Sequence, residues 1–187
     1  MENYQIITDS TADLTPELIR ELQVQVIPLC YMMDGKTYHN IPGGGEMDDP
    51  TFYGKLRRGT MSTTTQVNSE EFIQVFTPLL QEGRDILYIA FSSGLSGTYQ
   101  SAMLAREELL ERFPDRRLEV FDSLCASMGE GLFVYHAAKL QQEGKTMDEV
   151  LAWLKENVLR LCHWFTVDDL NHLKRGGRVS TATALVG

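Results

Sequence analysis

Long hydrophobic runs and an excess of basic residues are both missing from this chain of 187 residues. No apolar run approaches the roughly 20 residues that a membrane-spanning helix needs, so the sequence contains no candidate transmembrane segment. Its 17 Lys and Arg stand against 26 Asp and Glu, which gives a net charge of −9. Nucleic-acid-binding surfaces usually need a basic patch, so this balance argues against nucleic acid as a partner.

Cysteine is scarce, and the three residues present (Cys30, Cys125 and Cys162) lie far apart in the sequence. An odd number of cysteines without a signal peptide indicates reduced thiols in a cytoplasm rather than a disulfide framework. A metal site would need more closely spaced ligands than the single Cys162-His163 pair. We therefore expect free core thiols, a cytoplasmic protein and no bound metal.

The usual catalytic motifs are also missing. Gly94-Leu95-Ser96-Gly97-Thr98 approaches the nucleophile elbow but has no glycine at its final position. Gly43-Gly44-Gly45 is not followed by the lysine of a phosphate-binding P-loop, and its acidic neighbours would repel phosphate. His136 falls within a helical pattern, where a packing role is expected. We expect no catalytic residue.

What the chain does contain is an alternation of strand, polar loop and helix, which is typical of α/β proteins with a parallel sheet. Asp34-Gly35 predicts a hairpin over residues 31–39. The predicted strands are 4–8, 24–29, 85–91, 118–121 and 162–167. The predicted helices are 15–22, 49–57, 69–81, 98–112, a segment that follows 127–131 and ends near 142, and 146–158.

The loop at residues 92–97 is the most informative segment, because it joins a buried strand to a helix. Its hydroxyls and glycines allow backbone N–H groups to turn toward one point, and a helix N-terminus favours an anion. The segment therefore predicts an anion site without identifying the anion. The residues concerned are Ser92, Ser93, Gly94, Ser96 and Gly97.

Three more polar loops follow predicted strands, at Asp9-Ser10, Asp122-Ser123 and Asp168-Asp169. Parallel strands would bring these loops to one edge of the sheet, where open α/β folds bind ligands. The hydroxyl-rich segment 60–66, predicted as a loop before a helix, is a further candidate for this edge. Each hydroxyl taken alone is an ordinary helix cap, and that alternative stays open.

Four segments resemble signature motifs of the DegV family, bacterial fatty-acid-binding proteins that include the FakB-like carrier subunits of fatty acid kinase. The segments are ITDSTADL at 7–14, SSGLSGTYQSA at 92–102, the DS…S…GEG pattern at 122–131 and LNHLKRGGRVS at 170–180. The resemblance covers nearly the whole chain. It implies an α/β protein with a Rossmann-like, parallel-sheet N-terminal domain of the DegV (EDD) type at 1–158. The beginning of a second α/β domain, incomplete here, would follow at 159–187.

The resemblance further implies a lipid-binding carrier rather than an enzyme. Its ligand would be a C14–C18 fatty acid, and it would need no cofactor. A separate ATP-dependent fatty acid kinase subunit would act on the bound acid to form an acyl phosphate for phospholipid synthesis. Transient contact with a membrane surface is compatible with this cargo.

The family's T-S-Q-P-S motif corresponds here to Thr64-Thr65-Gln66-Val67-Asn68, which keeps the first threonine and the glutamine but loses the proline. The resemblance implies that Ser93 and Thr64 are the principal donors to the ligand carboxylate. The full implied carboxylate site is Thr64, Thr65, Ser92, Ser93, Ser96, Gly97 and Arg178, with supporting roles for Asp9, Ser10, Gln66, Asp122 and Ser123.

Two other function classes remain open. The chain could be an enzyme or binding protein for a small phosphorylated or carboxylated metabolite, since the related dihydroxyacetone kinase subunits share this type of fold; that reading predicts a small polar pocket. Alternatively, it could be an interaction protein whose serines and threonines are only helix caps. Alanine substitutions would then change stability by about 1 kcal/mol and nothing else.

Overall fold

The computed structural model describes residues 3–164, 166, 174 and 177. Its elements alternate in type along the chain, and residues Ser10–Ala12 form a single 3-10 turn after the first strand. In chain order they are β1 (Tyr4–Asp9), α1 (Pro16–Leu22), β2 (Gln25–Ile27), β3 (Cys30–Met33), β4 (Lys36–His39), α2 (Asp49–Arg57), β5 (Ser62–Thr65), α3 (Ser69–Gln81), β6 (Asp85–Ala90), α4 (Thr98–Arg112), β7 (Leu118–Asp122), α5 (Met128–Gln142) and α6 (Met147–Asn157).

The main sheet has the strand order β2-β1-β6-β7, and every neighbouring pair is parallel. Helices cover both faces of this sheet. One apolar cluster packs α1, α5 and α6 against it, and a second packs α3 and α4 against the opposite face. The predicted α/β class with a parallel sheet is confirmed.

Local capping signals set the beginnings of several helices where the sequence places them. Thr15 accepts a hydrogen bond from the Leu18 N–H at the start of α1. Asn68 and Glu71 form a reciprocal capping box on α3, and Thr146 does the same with Glu149 on α6. Such contacts span only three residues, so the sequence pattern is sufficient to predict them.

A small antiparallel sheet, in the order β4-β3-β5, is inserted between β2 and α3. The predicted hairpin is confirmed: Asp34 and Gly35 have φ values of 53° and 74° in the turn between β3 and β4. The prediction of a loop over 60–66 is wrong, because Ser62–Thr65 form β5. Threonine suits a strand, but the partner strand β3 lies some 30 residues earlier, and no local pattern reveals that pairing.

Residues 162–164 do not form part of a strand, and most of the predicted strand 162–167 and of the segments after it lies outside the described residues. The proposed second domain from 159 therefore stays a prediction. Among the cysteines, Cys125 is buried as expected, Cys30 is half-buried and Cys162 is exposed, and all three are free. No helix in the described part of the chain combines the length and apolar character needed to cross a bilayer.

Candidate functional site

The strand order creates a crevice between the carboxyl ends of β1 and β6. The chain leaves β1 for β2 on one side of it and leaves β6 for β7 on the other. Because α1 and α4 lie on opposite faces of the sheet, the loops after β1 and β6 diverge. Open α/β sheets bind ligands at such a switch point. Three of the four polar loops that the sequence singles out meet at this edge; Asp168-Asp169 lies outside the described residues.

The loop between β6 and α4, residues 91–97, is here called the serine loop, and it folds around its first serine. The carbonyl oxygen of Ser92 accepts hydrogen bonds from the N–H groups of Leu95 (3.0 Å) and Ser96 (3.2 Å). Its hydroxyl oxygen accepts one from the Gly94 N–H (3.3 Å). Ser92 is buried, and its own N–H donates to the Cys125 carbonyl at 2.9 Å. Ser92 therefore organises the loop from inside.

The N-terminus of α4 ends this loop with free donors. Ser96 Oγ accepts from the Thr98 N–H at 3.2 Å, whereas the N-cap residue, Gly97, has no side chain with which to cap. The N–H groups of Tyr99 and Gln100, in the first turn, have no acceptor within the described part of the chain. The positive end of this 15-residue helix is thus available to an anion.

Thr64 and Thr65 lie on opposite faces of the small sheet, because side chains alternate along β5. Thr65 Oγ1 donates to the Cys30 carbonyl across the strand pair, at 3.3 Å. Thr64 pairs with Tyr31, and its hydroxyl has no partner among the residues that the structure describes. Of the two hydroxyls, that of Thr65 is therefore already engaged within the small sheet, and that of Thr64 is left for a ligand.

Gln66 joins the small sheet to the serine loop. It follows β5 directly, and its Nε2 donates to Ser101 Oγ in the first turn of α4 at 3.3 Å. Its amide lies against Gly97: a Cβ at that glycine would overlap Oε1 and would lie 3.0 Å from Cδ. Absence of a side chain at position 97 is what lets the two elements meet.

Asp9 and Ser10, predicted as supporting ligand residues, are engaged within the protein. Asp9 is buried; its Oδ1 accepts from the Thr11 N–H at 3.0 Å, and its Oδ2 accepts from the Tyr88 hydroxyl at 2.7 Å. Ser10 Oγ accepts from the Leu29 N–H at 3.0 Å. These contacts shape the turn after β1 and hold it to β6 and to the start of β3.

Asp122 and Ser123 shape the next loop in the same way. Asp122 Oδ1 accepts from the N–H groups of Ser93 and Leu124, both at 3.1 Å. Ser123 is buried, and its hydroxyl donates to the Ala90 carbonyl at 2.7 Å. Asp122 therefore fixes the backbone of the serine loop and leaves the Ser93 hydroxyl, which has no described partner, at the exposed surface.

Glu130 is a buried carboxyl group beneath this edge that sequence reasoning missed. It is fully buried in α5, with Oε1 2.8 Å from Thr8 Oγ1 and Oε2 2.9 Å from Thr11 Oγ1. Thr8 Oγ1 also lies 3.0 Å from the Ile89 carbonyl, and Thr11 Oγ1 also contacts Asp9 Oδ1. The sequence signals were a charged residue between two glycines and its place in the DS…S…GEG pattern at 122–131.

A neutral, protonated Glu130 suits the number of hydrogens that its cluster with Thr8 and Thr11 needs. Four short oxygen–oxygen contacts share the two hydroxyl hydrogens of Thr8 and Thr11, so an ionised Glu130 leaves two contacts without a hydrogen. A protonated Glu130 supplies a third hydrogen. Burial, and next the nearby Asp9 carboxylate, raise the pKa of Glu130 well above its usual range. The neutral form also keeps a second negative charge away from an anion site.

Burial likewise raises the pKa of the neighbouring Cys125 thiol to about 11, with further contributions from Glu130 and Asp122. A thiol with this pKa is protonated at neutral pH and is a poor nucleophile. No three His, Cys, Asp or Glu side chains of the described residues are grouped as a metal ion would require.

The close approach of α5 to the turn after β1 depends on Gly131. A Cβ at this position would overlap the Ala12 carbonyl oxygen and lie 3.3 Å from Leu14 Cδ2. Because the main obstacle is backbone, we expect Gly131→Ala to lower the free energy of unfolding by about 1–3 kcal/mol in urea titrations. Gly54→Ala on α2 is the matched control: it meets only the flexible Arg58 guanidinium, at 3.4 Å, and should be neutral or stabilising. Equal stability of the two variants would contradict this.

An open pocket of about 580 Å³ lies away from this edge of the sheet, beside the triple-glycine segment at 43–45. Its wall includes Glu46, Asp48 and Lys55, and the Lys55 ammonium already pairs with Asp34. Carboxylates without a free cation do not favour an anion. The serine loop therefore remains the better candidate for an anion site. Arg178, the remaining predicted site residue, lies outside the described residues.

Comparison with known proteins matches residues 3–187 to the family described as "Uncharacterised protein, DegV family". A DegV domain-containing protein of Clostridium perfringens is 46% identical over 188 residues and covers 100% of this chain. A second, from Lactococcus lactis, is 44% identical and covers 98%. The chain spans 64% and 63% of the lengths of these two relatives.

Solved structures agree with the fold. A DegV family protein from Thermus thermophilus, described as binding fatty acid, superposes with a TM-score of 0.83 at 38% identity; the match covers 99% of this chain and 64% of the other. A stearic acid-binding protein from Eubacterium ventriosum gives a TM-score of 0.83 at 26% identity, over 97% of this chain and 63% of the other.

Proposed function

This chain belongs to the DegV family, and from that premise we propose that it binds a long-chain fatty acid whose carboxylate lies at the serine loop. One observation carries the proposal: the hydroxyls of Thr64 and Ser93 have no partner within the described residues, and Gln66 joins the elements that hold them. The free N–H groups at the start of α4 add further donors. The DegV proteins from Thermus thermophilus and Bacillus subtilis are described as binding fatty acids.

The hydroxyls orient the head group, and the acyl chain supplies most of the affinity. Burying a C16–C18 chain at about 0.8 kcal/mol per CH₂ contributes on the order of 10 kcal/mol before the costs of association. A hydroxyl that donates to a carboxylate contributes about 1.5–3 kcal/mol. Of the two threonines, we assign the carboxylate contact to Thr64, because the Thr65 hydroxyl already donates to the Cys30 carbonyl. Arg178 remains a proposed head-group residue.

We further propose that the chain is a carrier in the cytoplasm without catalytic activity of its own, and that a separate ATP-dependent kinase acts on the bound acid to form an acyl phosphate. The hydrogen-bond donors at the described edge support a role in which this chain binds the acid and a separate kinase performs the reaction. It offers hydroxyl and N–H groups to an anion, and its buried Cys125 thiol is held in the protonated, unreactive form.

The direct test is to identify what the purified protein carries. We expect organic extraction of the denatured protein, followed by mass spectrometry, to yield about one C14–C18 fatty acid per chain. An unrelated protein from the same host, purified identically, is the control. A small polar acid in place of the lipid would instead favour the metabolite-binding alternative. An empty extract, both from this chain and from a form as long as its relatives, would contradict the proposal.

A further inference from the structure

We propose that Gln66 and Gly97 form a clasp that sets the distance between the two halves of the head-group site, an inference that rests on the proposed function. Thr64 belongs to the small sheet and Ser93 to the loop after β6, so their separation depends on how the two sheets meet. Gln66 lies two residues after Thr64, and Gly97 four residues after Ser93. The clasp positions both donors without itself contacting the acid.

Two contacts of the Gln66 amide define the clasp. The Nε2 group donates to Ser101 Oγ at 3.3 Å, and Ser101 is buried in the first turn of α4. The other face of the amide lies on Gly97, where the three atoms nearest to a Cβ would all belong to Gln66. The amide is thus held between a hydroxyl of the helix and the bare backbone of its N-cap.

Gly97 offers an unusually selective way to test this contact. Its φ of −77° and ψ of 0° suit alanine as well as glycine, so the backbone of the loop accepts a side chain there. The three atoms nearest to the added methyl would all belong to the end of a flexible side chain. Gly97→Ala should therefore fold, and its chief effect should be to expel the Gln66 amide.

The same reasoning predicts that the two positions act as one. Gln66→Ala removes the clasp from one side and Gly97→Ala from the other, so each should weaken palmitate binding by about tenfold. Because either substitution alone already removes the clasp, the double variant should bind palmitate no more weakly than either single variant. The loss should be the same for laurate and palmitate, since the clasp acts on the head group alone.

The experiment measures palmitate affinity for the wild type, both single variants and the double variant. In parallel, hydrogen–deuterium exchange is followed without ligand in the peptide that covers the first turn of α4. Gln81→Ala, on the exposed end of α3, and Gly54→Ala are the matched controls. We expect both clasp variants to lose affinity and to exchange faster at this turn, with the controls unchanged in both respects.

The other outcomes of this experiment would contradict either the clasp or the proposed function. If the wild type binds palmitate and Gln66→Ala binds it equally well, or if the two single losses multiply in the double variant, the clasp is refuted and the proposed function stands. If neither this chain nor a form as long as its relatives binds palmitate, the proposed function fails, and the exchange data then decide the clasp alone. In that case, unchanged hydrogen–deuterium exchange at the first turn of α4 in both variants would refute the clasp.

Discussion

The Glu130→Gln variant is expected to be more stable than the wild type at pH 8 and to lose this advantage as the pH falls toward 4.5. The native protein holds Glu130 protonated above the usual carboxyl pKa, whereas the unfolded chain releases that proton. The contribution of Glu130 to wild-type stability therefore falls as the pH rises from the unfolded pKa to the folded one, by at most about 1.4 kcal/mol per pH unit. Glutamine is neutral throughout and keeps both a donor and an acceptor for Thr8 and Thr11.

Urea titrations of both proteins at pH 5, 6.5 and 8 would measure this difference. The carboxylates of Asp9 and Asp13 also face Glu130 and, like burial, raise its pKa. They are present in both proteins, so the comparison isolates the proton of residue 130. Glu107→Gln makes the same substitution at an exposed position on α4 and should follow the wild-type pH dependence.

Glu130→Ala separates the role of the proton from that of packing. It removes the two hydrogen bonds and leaves a cavity beside β1, so we expect a loss of about 2–4 kcal/mol at pH 5, where the wild-type acid is neutral. Parallel pH curves for the wild type and Glu130→Gln would show that no proton is held at this residue, and the hydrogen count for the cluster would then be wrong.

The second large effect is expected when both free hydroxyls are removed. Thr64→Ala combined with Ser93→Ala should lower fatty acid affinity by about 100-fold, since each hydrogen bond to a carboxylate contributes about 1.5 kcal/mol or more. The factor should be equal for myristate and stearate, because the head group and the chain contribute separately. Competition against a fluorescent fatty acid would provide the affinities.

Thr65→Ala is the matched control for this pair. It removes a hydroxyl of the same type one residue away, from the opposite face of β5, and should change affinity less than about twofold. Thr64→Ser should retain most of the binding because it keeps the hydroxyl. If Thr65→Ala were as harmful as Thr64→Ala, the carboxylate would lie on the other face of the small sheet.

The sequence predicted those elements whose signals are local. The α/β class follows from the alternation of buried strands and amphipathic helices, and the bounds 98–112 of α4 agree with its pattern. The cap at Thr15 and the Asp34-Gly35 turn are confirmed because each needs only a few neighbouring residues. Family membership was also readable, since its motifs are short and lie in order along the chain.

Part of the candidate site was predictable for the same reason. Parallel strands end at one edge, so a strand-by-strand reading brings the loops after β1, β6 and β7 together without any knowledge of side chains. Which hydroxyls at that edge are free was not predictable. Ser10 and Ser123 resemble Ser93 in sequence, but the tertiary structure engages the first two with backbone groups and leaves the third exposed.

Only the tertiary structure decided the contacts between residues that are distant in sequence. Pairing of β5 with β3 gave the Thr65 hydroxyl its acceptor, the Cys30 carbonyl, and a residue 122 positions away placed a hydroxyl beside the buried Glu130. The contact of Gln66 with Gly97 likewise joins the small sheet to the serine loop. Local sequence patterns reflect interactions between residues that are close together in the chain. The contacts named here depend instead on which distant segments the tertiary packing brings together. That is why the sequence determined the fold class, the family and the edge that carries the site, and the three-dimensional packing determined the state of each side chain there.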